Sequence, residues 1–241
     1  MSETFLDTSV ILCGFHPTEL YKDKARILVQ REFLLSPITH SEIKNIKGRR
    51  FSIYLSISSI FKVLSTKPAP ILTVDDIYRR CFKANFGDNI HDTNHLKSLF
   101  SYIKDELELN DDSIVDAALL QKIALKVNDV FNDIQYNFIK LINDLDNPIV
   151  YQRRVVTENI GNKYSKLLTL FKKIKDYKSH KNDVKILIHA VEYSCYTNIN
   201  LQIISNDNYM VDIKEEVVSN SKRIFSSLYY TIYHLKDYVI T

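Results

Sequence analysis

Four acids, Asp7, Glu42, Asp183 and Asp207, each border an apolar stretch of the chain. Carboxylates drawn to one place repel each other, and proteins keep such a set together by neutralising it with a divalent cation. Mg²⁺ and Mn²⁺ are the natural guests, because hard ions prefer oxygen ligands, and Mg²⁺ keeps waters that can be activated beside a phosphate. The chemistry available to this set is metal-assisted hydrolysis of a phosphodiester. Asp212, five residues beyond Asp207, is an additional or substitute ligand, and Thr8, Ser9 and Ser205 offer hydroxyls to orient waters or ligands. Each acid also has a structural reading. Asp7 can cap a turn, and Thr39-x-x-Glu42 has the spacing of a capping box. Asp183 can be a first-turn acid behind an Asn182 cap, and Asp207 can belong to a plain Asn-Asp-Asn turn. Asp116, in Ile114 to Leu120, imitates the surroundings of Asp183 but is read as a helix-surface residue. His40, His91, His95, His180 and His189 show no metal-binding spacing.

The elements that must position these acids follow from hydrophobic periodicity. Thr4 to Leu12 reads as a buried strand that carries Asp7 and runs into a turn at Gly14 to Pro17. Leu20 to Arg31 has helical spacing, and Glu32 to Ile38 gives a second strand stopped near Pro37. A strand, helix, strand unit implies a parallel sheet. From Ser41 to about Lys181 the pattern is helical, with Ser113 to Leu145 as its longest run and Asn147-Pro148 as its clearest stop. Alternation then returns: a helix from Asn182 to about Tyr196, a strand from Asn200 to Ser205, a short helix after Asp212, and an aromatic strand within Tyr229 to Tyr238. The sheet is thus expected from residues 1–50 and 181–241, with 51–180 as a helical insertion. In an open α/β sheet, functional groups gather at the carboxyl ends of the strands, which is where this reading puts the acids.

The residues themselves resemble the PIN-domain nuclease family. Phe5-Leu6-Asp7-Thr8-Ser9-Val10-Ile11 is similar to the family's opening Asp-Thr-Ser on the first strand, and Pro37-Ile38-Thr39-His40-Ser41-Glu42 to its second acid. Asp183 with Ile186, Leu187 and Ala190 resembles the third motif, and Ile203-Ile204-Ser205-Asn206-Asp207 the fourth. The resemblance rests on the joint order of short motifs over roughly the first 50 and last 60 residues. It implies a three-layer α/β/α core around a central parallel sheet, dependence on Mg²⁺ or Mn²⁺, and cleavage of RNA. The family also includes toxins of toxin-antitoxin pairs, but the long separation of Glu42 from Asp183 favours a larger processing relative. An alternative is a PIN-like core without activity that binds RNA or a protein.

Composition sets the outer limits. The 241 residues include 45% hydrophobic ones, enough for a sizeable core, with only 4 Gly and 5 Pro, and no glycine-rich phosphate loop. The odd cysteines Cys13, Cys81 and Cys195 and the lack of a signal-like start point to a soluble cytoplasmic protein with no membrane span. Net charge is only +3, so local clusters matter more than the total. Arg49-Arg50, Arg79-Arg80 and Arg153-Arg154 join a stretch from Lys163 to Lys181 with seven lysines, Lys172 and Lys173 among them. A charge run is usually a solvated face; beside the acids, these residues would grip phosphates of an RNA. Tyr164 and Tyr177 would then stack on bases, unless they pack in the core. The insertion offers a surface for self-association or a protein partner.

Overall fold

The computed structural model describes residues 2–15, 19–66, 71–85, 90–146, 153–156 and 163–240. In chain order the elements are β1 (Ser2–Leu6), α1 (Thr8–Phe15), α2 (Lys22–Gln30), β2 (Phe33–Leu35), α3 (Pro37–Thr66), β3 (Leu72–Thr73), α4 (Val74–Asn85), α5 (Ile90–Glu106), β4 (Ile114–Val115) and α6 (Ala117–Asp146). After them come β5 (Arg153–Val155), α7 (Tyr164–Phe171), α8 (Lys181–Thr197), β6 (Asn200–Ser205), α9 (Asn208–Asp212), α10 (Lys214–Lys222) and β7 (Tyr230–His234). The fold class is α/β. Its central sheet has the order β5-β2-β1-β6-β7, and every neighbouring pair is parallel.

Strand β1 lies at the centre, with Phe5 opposite Leu34 of β2 and Leu6 opposite Ile204 of β6. A parallel sheet is covered on both faces, so its strands are continuous apolar runs without alternation. That property also limits what periodicity can resolve. The strand expected over Thr4–Leu12 ends at Leu6, and Thr8–Phe15 is helix α1. Val10, Ile11 and Cys13 are buried in either form, and a short apolar run does not distinguish a strand from a buried helical turn. Gly14 serves close packing: a Cβ there would meet backbone atoms of Ala25 and Arg26 of α2 at 3.2 Å. His16 and Pro17, from the expected turn, lie outside the described residues, as does Asn147-Pro148.

The second strand also stops earlier than its apolar pattern. The Ser36 hydroxyl accepts hydrogen bonds from the amides of Ile38 (3.0 Å) and Thr39 (3.1 Å). Ser36 is therefore the N-cap of α3, and Pro37 occupies the first helical position, where its missing N–H costs nothing.

The chain divides into two units, residues 1–44 with 139–241, and residues 45–138. This division is narrower than the insertion read at 51–180, because residues 139–180 supply β5 to the sheet beside β2. The second unit is not purely helical: β3 and β4 pair antiparallel. These strands of two residues each are too short to show a period. Two helices, α3 and α6, reach 30 residues each, where only the second stood out in the sequence. Tyr54, Ile57, Phe61 and Leu64 of α3, and Ile123, Val127, Val130, Ile134 and Phe138 of α6, are buried at steps of three and four, as an amphipathic helix requires. Asp116 accepts from the amide of Leu119 at 2.7 Å and caps the start of α6. Among the described residues, no helix is long and apolar enough to cross a membrane.

In the first unit, α8 is buried along most of its length. Val184, Ile186, Leu187, Ile188, Ala190 and Val191 share a core with Phe5, Leu34, Leu201 and Ile203. Burying one such aliphatic side chain contributes about 1.5–3 kcal/mol, so the start of α8 is firmly seated. Tyr164 and Tyr177 pack against the same core, and Tyr164 stacks on His189 with ring centroids 5.1 Å apart. Both tyrosines thus make the core contacts that were the alternative to stacking on bases.

Candidate functional site

The pairing of β1 with β6 brings the first and last acids together. Beyond Leu6↔Ile204, the amide of Asp7 donates to the Ile204 carbonyl at 3.1 Å, so Asp7 and Ser205 leave adjacent strands side by side. Asp7 is 3% exposed. Its Oδ2 accepts from Ser9 Oγ at 2.6 Å, from Ser9 N at 3.3 Å and from Ser205 Oγ at 3.0 Å. Burial pushes the Asp7 pKa up, and these hydrogen bonds oppose it only in part. No cationic side chain is among the influences on it.

Ser205 is the hinge of the arrangement. While its hydroxyl donates to Asp7, its oxygen accepts from the amide of Asp207 at 2.9 Å. The amide of Asn206 donates to Ser9 Oγ, also at 2.9 Å. Asp207 caps α9 through Oδ1, which accepts from Tyr209 N at 2.8 Å. Instead of belonging to a plain turn, Asp207 is thus a helix cap, and it belongs to the acid group as well.

Asp183 reaches the same edge from the other direction. A helix that crosses back to a parallel strand starts near the carboxyl ends of the strands, and Asp183 is in the first turn of α8. The N-cap of this helix is His180 rather than Asn182. Burial pushes the Asp183 pKa up to about 6, with the charges of Asp7 and Asp207 adding to the rise against the His180 hydrogen bond. These mutual influences mark the three aspartates as one electrostatic group.

His180 is the residue that spacing rules missed. Its Nδ1 lies 3.0 Å from Asp183 Oδ2, and ligand atoms of His180, Asp183 and Asp207 all lie within 4.8 Å of one another. The imidazole is stacked on Tyr209, with centroids 3.7 Å apart and 14° between planes. The Tyr209 hydroxyl donates to the Lys175 carbonyl at 2.7 Å, which ties the segment before α8 to α9. The sequence signal is His180-x-x-Asp183 at a helix start, one turn apart, and it is invisible to a search for His or Cys pairs.

Glu42 is held at the border of this group. Its Oε2 accepts from Thr8 Oγ1 at 2.6 Å and its Oε1 from Asn182 Nδ2 at 2.8 Å. Both carboxylate oxygens are therefore engaged by neighbours of Asp7 and Asp183, and the cap of α3 is Ser36; a capping box with Thr39 is not formed. Thr8, Ser9 and Ser205, read as orienting hydroxyls, all bond to these acids. Asp212 is exposed at the far end of α9 and outside the group.

The basic residues fall in both units. Lys172 and Lys173 are exposed after α7 in the first unit. Arg49 and Arg50 belong to the second unit, where Arg50 hydrogen-bonds His95 Nδ1. Arg153 and Arg154 form part of β5, and their side chains lie outside the described residues.

The donor set suits a divalent cation: two half-buried carboxylates and an imidazole within one coordination sphere's width, with the buried Asp7 carboxylate beside them. Comparisons of the chain with protein-family models, curated proteins and solved structures find no match.

Proposed function

We propose that this chain is a metal-dependent endoribonuclease whose first unit has a PIN-like three-layer core and works in the cytoplasm. The observation that carries the reading is the convergence of Asp7, Asp183 and Asp207, from the ends of β1 and β6 and the start of α8, with no lysine or arginine paired to any of them among the described residues. Uncompensated carboxylates at this density demand a cation. Asp183 and Asp207 would hold Mg²⁺ or Mn²⁺ with Asp7. Such an ion supplies Lewis-acid polarisation of a phosphate and a water acidic enough to attack it.

The chain's own residues then divide the work. Ser9 and Ser205 fix Asp7 so that its ligand geometry is preset. Glu42, clamped by Thr8 and Asn182, orients an attacking water or a second ion. The exposed Lys172 and Lys173 hold substrate phosphates by charge. The test is incubation of purified protein with structured and single-stranded RNAs in Mg²⁺, Mn²⁺ or EDTA. Cleavage in either metal and none in EDTA is expected. Binding of RNA without turnover in any metal would replace the enzyme with a binding module.

A further inference from the structure

Three features set His180 apart from an ordinary cap residue. It opens α8 without a side-chain capping bond. Its ring is held flat against Tyr209, so its direction is fixed before any ligand arrives. Its Nδ1 also lies 3.0 Å from Asp183 Oδ2. Two ligands at right angles in an octahedron, each about 2.1 Å from the ion, are separated by about 3.0 Å. The wider spread of the His180, Asp183 and Asp207 donor atoms, up to 4.8 Å, accommodates one ion with little movement. An ion seated there would have a nitrogen in its sphere, a departure from the all-oxygen sphere that Mg²⁺ prefers.

We propose that His180 is a direct ligand of the ion and that it selects Mn²⁺ over Mg²⁺; the inference rests on the metal-site reading above. Mg²⁺ gives up its waters reluctantly and gains little from an imidazole, whereas Mn²⁺ accepts mixed nitrogen and oxygen donors. The Tyr209 stack, together with the Tyr209 hydroxyl bond to the Lys175 carbonyl, acts as the positioning layer that keeps the ring from rotating away.

The experiment is pulsed electron paramagnetic resonance on the full chain loaded with Mn²⁺, beside titrations of Mn²⁺ and Mg²⁺ followed by thermal shift. The wild type should show nitrogen coupling to the bound Mn²⁺. His180→Gln, which puts an amide oxygen in place of the imidazole, should lose that coupling and reduce the Mn²⁺-over-Mg²⁺ preference by about tenfold or more, since even an outer partner of a ligand is worth about that much. Mn²⁺ bound through oxygen alone in the wild type, displaced by Asp183→Asn, would overturn the His180 assignment and leave the metal site standing. No binding of either ion by the wild type would overturn both.

Discussion

Each of the two units holds a titratable cluster, and the two are built oppositely. In the second unit, His95 lies between the Tyr54 hydroxyl, 3.2 Å from its Nε2, and the Arg50 guanidinium at its Nδ1. Tyr54 stacks on Phe131 with centroids 5.0 Å apart, and burial pushes its phenol well above the ordinary range. The cluster contains its own cation, Arg50, hydrogen-bonded to His95. In the first unit, Asp7, Asp183 and Asp207 press upon each other, and Asp183 meets the imidazole of His180. A cation bonded to buried neighbours contributes to the fold, whereas like charges held together call for a counter-ion. This contrast is why we propose the sheet edge, and not the second unit, as the functional region.

The largest expected effect comes from Asp7→Asn. The amide keeps the shape of the side chain and can still accept from Ser9 and Ser205, so the fold should persist while metal-dependent RNA cleavage falls on the order of a hundredfold or more. Cleavage assays beside circular dichroism melts check this, and unchanged cleavage would break the contrast between the two clusters.

Next is the pH dependence of Asp183. Its folded pKa of about 6 stands above the ordinary 3.8, so the folded state binds the proton more tightly than the unfolded one. Metal-free stability should therefore fall as pH rises from about 4 to 6 and level off above, by up to about 3 kcal/mol from this group. Burial of Asp7 acts in the same direction. Asp183→Asn should then raise the metal-free melting temperature at pH 7.5 and flatten its pH slope, the opposite of what removal of a structural acid would do. Denaturant titrations across this range provide the check.

A smaller effect is expected for Thr8→Val. The substitution removes the hydroxyl that donates to Glu42 at 2.6 Å, a hydrogen bond to a charged group, and should cost about 1.5–3 kcal/mol in denaturant unfolding, with a partial loss of cleavage. The smallest is Tyr54→Phe in the helical unit. Losing its hydroxyl near His95 should cost about 1 kcal/mol while Mn²⁺ affinity, measured by calorimetry, stays unchanged. A matching loss of metal affinity would erase the distinction between the clusters.

Most of what positions the site was legible in the chain. Asn200–Ser205 is the strand its β-branched run announced, and Asp7, Asp183 and Asp207 converge because strand ends and crossover-helix starts share one edge in a parallel sheet. Where the sequence misled, the cause was physical. Thr8–Phe15 is too thoroughly buried to display a helical period. Ser36 outcompetes Thr39 as a cap because Pro37 fixes the first helical position. Strand β5 spans only Arg153–Val155 and takes its place from pairing with β2, a tertiary choice that leaves no local pattern. His180 meets Asp183 one helical turn away, but the Tyr209 stack that fixes its ring links residues that no spacing rule connects.

The central claim is that the sheet edge of the first unit is a divalent-cation site. Anomalous diffraction from crystals soaked in Mn²⁺, collected on both sides of the manganese edge, tests it most directly. The account predicts a peak within bonding distance of Asp183 and Asp207, beside Asp7, and lost in Asp183→Asn. A map with no manganese among these three aspartates would contradict it.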